Sequence, residues 1–299
     1  MTALLDSAAL DQAGDTGTTL VRLVRAEFMK LRTTSAGWLF LIGFIMFTAL
    51  ALAINGFGSH HELYPEPGLA SRAQELAQAA QARSPAGVAA IAAGMMTSGQ
   101  RVGFLFALLL GVVIVTSEFA NQTAAVTFVT VPRRTTVITA KVAAAACCGA
   151  LLWLAGTVLA AVATPLFLYT QHVSTSLAGW AVTRSVLLNL IAFVAWGVFG
   201  LGLGAILRNQ MASVIAALAV YAGSFGAILL FTALYNLFHQ SWLLGAPVIA
   251  PAVASEVMIT SGPAFPYAPP GWVGGVIFIG YTVAFVAGGI ALTKRRDVI

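Results

Sequence analysis

"RSVLLNLIAFVAWGVFGLGLGAILRNQMASVIAALAVYAGSFGAILLFTA", residues 184–233, opens on Arg184 and thereafter carries one charged side chain, Arg208. A helix crossing about 30 Å of hydrocarbon needs about 20 predominantly apolar residues. Each half of the stretch supplies them, so spans are expected at 184–206 and 211–233, joined by the short polar link "RNQ" at 208–210. The same test finds four further runs, at 36–57, 100–117, 142–168 and 271–293. The run at 100–117 lies between Arg101 and Glu118, and its helix is expected to continue past Glu118. Composition agrees: of 299 residues 59% are hydrophobic and 8% charged, with a mean hydropathy of +0.91, where a soluble domain is about 25% charged. The chain reads as an all-α integral membrane protein with six transmembrane helices.

Lysine and arginine set its orientation, because cytoplasmic loops carry the excess of both. With both termini inside, Arg22, Arg25, Lys30, Arg32, Arg133, Arg134, Lys141, Arg208, Lys294, Arg295 and Arg296 are cytoplasmic, eleven of fifteen cations. Arg72, Arg83, Arg101 and Arg184 remain outside. Topology thus accounts for the net charge of +5 without a nucleic-acid-binding face.

Residues 1–17 hold Asp6, Asp11 and Asp15, with no basic start or apolar core, and read as a flexible cytoplasmic tail rather than a signal peptide. After them "TTLVRLVRAEFMKLRTT", 18–34, places Leu20, Leu23, Val24, Phe28 and Leu31 at helical spacing, with Arg22, Arg25, Lys30 and Arg32 mostly on other faces. This amphipathic helix is expected to lie in the inner membrane interface, where anionic headgroups favour its cations. It is either an anchor alone or a connecting helix that also touches a cytoplasmic partner.

Two outer segments interrupt the spans. In 58–99, the glycines and prolines of "GSHHELYPEPG" argue against a continuing helix, "ASRAQELAQAAQAR" favours a short surface helix, and 84–99 is either a lead-in to the second span or a shallow hairpin. The stretch 241–272 is apolar yet broken by Pro247, Pro251, Pro263, Pro266 and the pair Pro269–Pro270. It reads as a re-entrant element between spans five and six, since irregular backbone at membrane depth needs protein or water to cover it.

Catalytic constellations are lacking. There is no G-x-x-x-x-G-K-[ST] pattern, so an ATP site is not expected in this chain. "GLGLGAILRNQ", 200–210, follows no strand and reads as close helix packing through small residues. His60, His61, His172 and His239 lie in or near outer loops and show no metal-binding pattern, and the adjacent Cys147 and Cys148 read as packing residues. Glu256, in the apolar outer segment, is expected to meet substrate, Arg184, Arg101 or the headgroup layer. No Asp, Glu, Lys or Arg falls mid-span, which weighs against an ion-coupled carrier, and no paired carboxylates or Ser/His/Asp set support a membrane enzyme. A self-contained secondary carrier or channel is the alternative, since broken helices can bind ions through carbonyls.

The largest inner loop, 118–141, is polar and β-branched, and contains the helix-breaking Pro132 followed by Arg133 and Arg134. Here the chain resembles the type-two export permeases of ABC transporters. The resemblance runs through "RAEFMKLRTT" before the first span, "SEFANQT" after the second and "VPRRTTVITAK" before the third. It rests on Glu118 and Phe119, on Gln122 and Thr123 where a Gly-Thr pair is common, on Pro132, Arg133 and Arg134, and on Lys141. Gln122 departs from the usual glycine, which puts the local turn in doubt. The resemblance implies the transmembrane permease subunit of an ATP-driven exporter in the bacterial cytoplasmic membrane, with a six-span domain over 35–299. It implies two permease chains, identical or homologous, each coupled through 118–141 to a separate cytoplasmic ATPase that binds ATP and Mg. Glu118 and the arginines would pair there with charges of the ATPase, and a hydrophobic or amphiphilic substrate is expected.

Overall fold

A computed structural model describes residues 20–65, 72–120, 134–174, 177, 179–260, 262, 264, 265 and 267–295. Among them α1 covers 20–33, α2 Ser35–Leu63, α3 Arg72–Arg83, α4 Pro85–Met96, α5 Gln100–Ala120, α6 Arg134–Thr170, α7 Trp180–Leu207 and α8 Gln210–Phe238. A short α9 at Trp242–Gly245 and a 3₁₀ turn at Ala246–Ile249 lead to α10, Pro251–Ile259, and α11, Gly271–Arg295, closes the set. Among the described residues six stretches are long and apolar enough to cross a membrane: Gly37–Leu63, Pro85–Ala120, Thr136–Thr170, Trp180–Leu207, Gln210–Phe238 and Gly271–Thr293. The protein is an all-α membrane protein, as its charge-free runs predict.

The boundaries differ instructively. Helix α2 runs on through Gly58, His60 and His61 to Leu63, because its breakers, Pro65 and Pro67, come only after that point. The expected break at 58 is therefore corrected, and both histidines are helical. The segment 84–99 is the lead-in rather than the hairpin. Ser84 caps α4 by accepting from Gly87 N at 3.1 Å, Pro85 occupies the first turn, and the turn Thr97–Gly99 passes the chain to α5. Helix α6 begins at Arg134, so Lys141 lies two turns inside it rather than at its mouth.

Helix α7 is the hub. Its most apolar window is 67% buried, against 17% for α2, α8 and α11. Glycine makes this possible: a methyl group on Gly200 would collide with the Leu108 carbonyl of α5, and one on Gly202 would meet the backbone of Phe285 on α11. The run at 200–204 is thus a helix-packing surface, as small residues in a membrane helix suggest. Above it Trp196, 0% exposed, packs against Phe104, Phe199, Tyr221 and Phe278 from four elements.

The proline-rich stretch forms a helix pair, Trp242–Ile249 and Pro251–Ile259, bent by 103°. Side chains of other helices satisfy its backbone. Ser224 Oγ accepts from Ala252 N at 3.3 Å, Ser185 Oγ donates to the Ile259 carbonyl at 3.0 Å, and Arg184 donates to the Thr260 carbonyl at 3.3 Å. Trp196 Nε1 donates to Ser255 Oγ at 3.2 Å, which itself donates to the Ala252 carbonyl at 2.8 Å. A buried short helix leaves most of its backbone groups orphaned at its ends, and these contacts answer that need.

Candidate functional site

At the other end of α5, two glutamates and two lysines from three helices meet. Lys30 Nζ of α1 lies 3.0 Å from Glu27 Oε1 and 2.8 Å from Glu118 Oε1. Lys141 Nζ of α6 lies 2.9 Å from each of the same two oxygens. Cation and anion therefore alternate around a closed four-membered ring. Lys141 also donates to the Ile114 carbonyl at 3.2 Å, so its three N–H groups have three acceptors. Glu27, Glu118 and Lys141 are buried, at 8%, 5% and 4% exposure, while the Lys30 side chain stays half exposed.

The local sequence explains the geometry. Glu118 occupies the last turn of α5 and Lys141 the second turn beyond the start of α6, so both sit where the two helices flank the segment 121–133. Glu27 falls on the apolar stripe of α1, between Val24 and Phe28, and is carried inward with Phe28 and Leu31, which pack on the core. Burying either carboxylate alone would be prohibitive, and the shared lysines offset that cost. Partial burial works to lower the pKa of Lys30. The hydrogen bond it donates to Glu118, the charges of Glu27 and Glu118 and the hydrogen bond it donates to Glu27 outweigh it, so the pKa lies above the ordinary 10.5.

The residues expected to couple to an ATPase divide. Glu118 faces inward, buried between α1, α5 and α6, with its Oε1 held by two lysines. Lys141 is equally enclosed. Phe119 lies under the Arg208 guanidinium, 5.6 Å from its ring centre, which brings the link between α7 and α8 to the same end. Arg208 adopts a left-handed φ of 53°, ending α7, and Asn209 caps α8 by accepting from Ala212 N at 2.9 Å. Gln122, Thr123, Pro132 and Arg133 lie outside the described residues, as does the side chain of Arg134. On α1, Arg22, Arg25 and Arg32 are exposed, Phe28 is half-buried and Lys30 belongs to the ring. Glu27 escaped the sequence reading. Its signal was there: it is an acid on an otherwise apolar helical stripe, which is costly unless a cation waits inside.

At the opposite end of α5, Arg101 pairs with Glu256 at 2.6 Å, and Tyr221 donates to the Arg101 carbonyl. Of the partners expected for Glu256, Arg101 is the one it meets, while Arg184 serves the end of α10. Asn189, 4% exposed, points into the bundle, and its Oδ1 has no hydrogen-bond partner among the described residues.

Six spans around a glycine-lined hub, with a bent helix pair before the last, invite comparison with known families. The family model described as "ABC-2 family transporter protein" matches residues 21–298. The chain belongs to the ABC-2 transporter family. Comparison with curated proteins gives no match. The matched range takes in α1 along with the six spans, so the helix that brings Glu27 and Lys30 to the ring is part of the ABC-2 unit. Members of this family are membrane components of ABC transporters, and this chain is a multi-pass transport protein of that kind.

Proposed function

We propose that this chain is the permease subunit of an ATP-driven exporter, moving a hydrophobic or amphiphilic substrate across the bacterial cytoplasmic membrane. Both termini are cytoplasmic in this reading, α1 lies in the inner interface, and the bent pair α9–α10 is a re-entrant element on the outer side. Two permease chains, identical or homologous, form the pathway. ATP and Mg are bound and hydrolysed on a separate cytoplasmic ATPase that grips the segment 118–141.

The observation that carries the reading is the charge ring. It fastens α1 to both helices that bracket 121–133, so a push on that segment from the cytoplasm is delivered to α1, α5 and α6 together. Glu118 and Lys141 act as the internal anchor of the lever. Phe119, Gln122, Thr123, Pro132, Arg133 and Arg134 are left to meet the ATPase.

Purification of the full chain from native membranes, followed by mass spectrometry of what accompanies it, tests this directly. A stoichiometric nucleotide-binding ATPase is expected. Arg133→Glu with Arg134→Glu should weaken its association by about tenfold, equivalent to about 1.4 kcal/mol, with membrane insertion verified separately. An intact, folded permease that reproducibly carries no ATPase would favour a self-contained carrier or channel instead.

A further inference from the structure

Between α1 and the first and third spans lies a groove of about 290 Å³, at the lower end of the range for small-molecule sites. Its floor is formed by buried Leu110, Cys148 and Leu152, and one wall by Phe28 and Leu31 of α1. Its rim is apolar and open: Trp38 is 55% exposed and Leu151 54%. Arg32 is the one charged residue lining the groove among the described residues. It sits where the chain turns from α1 into α2, and the Trp38 indole is drawn against this turn by donating to the Arg32 carbonyl at 3.2 Å.

Three observations select an occupant. Beside the groove on α2, Leu39 and Ile42 are also exposed, so in the proposed orientation its apolar mouth opens to hydrocarbon rather than to water. The cation stands at the α1 end, on a helix whose other cations outside the ring are Arg22 and Arg25. Among the described residues, the nearby acids of α1 and α5, Glu27 and Glu118, are already matched by Lys30 and Lys141, and Arg32 is available to an anion from outside. We propose that this groove holds one acyl chain of an anionic phospholipid, with the lipid phosphate on Arg32. A guanidinium suits a phosphate through paired N–H groups, and an apolar slot suits the chain. The lipid would brace α1 against α2 and α6 from the membrane side, where the charge ring braces it from within.

The test uses the full-length protein, stripped of lipid in detergent and offered phosphatidylglycerol or phosphatidylcholine, with bound lipid counted by native mass spectrometry. One phosphatidylglycerol should be retained about fivefold more tightly than phosphatidylcholine, the factor expected for one surface arginine. Arg32→Gln should abolish that preference, and Leu152→Trp should lower retention of both lipids. Leu151→Trp, at the exposed rim, serves if the buried substitution fails to fold. Equal retention of the two lipids, a preference that survives Arg32→Gln, or unchanged binding in the filled groove would overturn the proposal. So would groove-filling variants that lose self-association while keeping lipid, since the occupant would then be a second copy of the chain. The readout needs no ATPase, so its failure and that of the exporter reading are separable.

Discussion

The two ends of helix α5, about 25 Å apart, adjoin polar arrangements built on different principles. Around Glu118, whole charges from α1, α5 and α6 are set against one another in a closed ring. Beyond Arg101, the short helix α10 is held by neutral hydroxyls and the guanidinium of Arg184 acting on its backbone, and by an indole donating to its Ser255 hydroxyl. The first arrangement joins separate helices through side-chain tips and makes each charge depend on all the others. The second secures one segment group by group, and losing one contact leaves its neighbours in place. A bundle that moves as a machine would use the first where parts must travel together and the second where backbone must stay still.

The sharpest way to break this contrast is Lys141→Met. It leaves Glu27 and Glu118 buried and facing each other with only half-exposed Lys30 between them, a loss expected at about 3–5 kcal/mol. Thermal unfolding of the purified protein reads it, and α1 should become accessible to protease in the same variant. Adding Glu118→Gln to Lys141→Met removes the surplus buried carboxylate and should recover part of the loss. A Lys141→Met protein as stable as the parent would mean that the ring contributes nothing.

The outer cluster should respond more mildly. Ser255→Ala strands the Trp196 N–H and removes the bond to the Ala252 carbonyl, with a cost of about 1–3 kcal/mol and no release of α1. Protection of α1 lost in this variant would show that the two ends are not independent.

The smallest effect concerns pH. Because the Lys30 pKa is raised on folding, its contribution is fully present below the ordinary lysine value of 10.5 and is lost as pH rises through the higher folded value. Protease protection of α1 should therefore be unchanged by Lys30 titration between about pH 6 and 9, where a free lysine also stays charged, and should fall only above the ordinary lysine range. Release of α1 that follows Lys30 deprotonation below the ordinary lysine value would mean that its carboxylate partners do not outweigh its burial.

The spans were legible because hydrocarbon tolerates so little: every charge-free run of sufficient length became a helix. The bent pair was legible from its prolines, which forbid a straight span without forbidding burial. The glycine run at 200–204 was legible as packing, although which glycine meets which helix was not. The site was only half visible. Glu118 and Lys141 stood out through family likeness, but their mutual pairing with α1 depends on how three helices dock, which no local pattern encodes. Glu27 was hidden because an acid in an amphipathic helix is ordinarily read as a solvated face. The histidines at 60 and 61 were misplaced because Gly58 suggested a break, and a single glycine costs a helix only about 1 kcal/mol.

The two-residue connection at Arg208 and Asn209 has a consequence for how the protein is made. Helices of 28 and 29 residues joined by so little chain cannot enter a bilayer independently. They form a hairpin that inserts as one object, and the glycine-rich flank of α7 closes against α5, which is made before it, and against α11, which follows. Arg208 then decides which side of the membrane keeps the bend, and that single choice during synthesis sets the direction of two of the six spans at once.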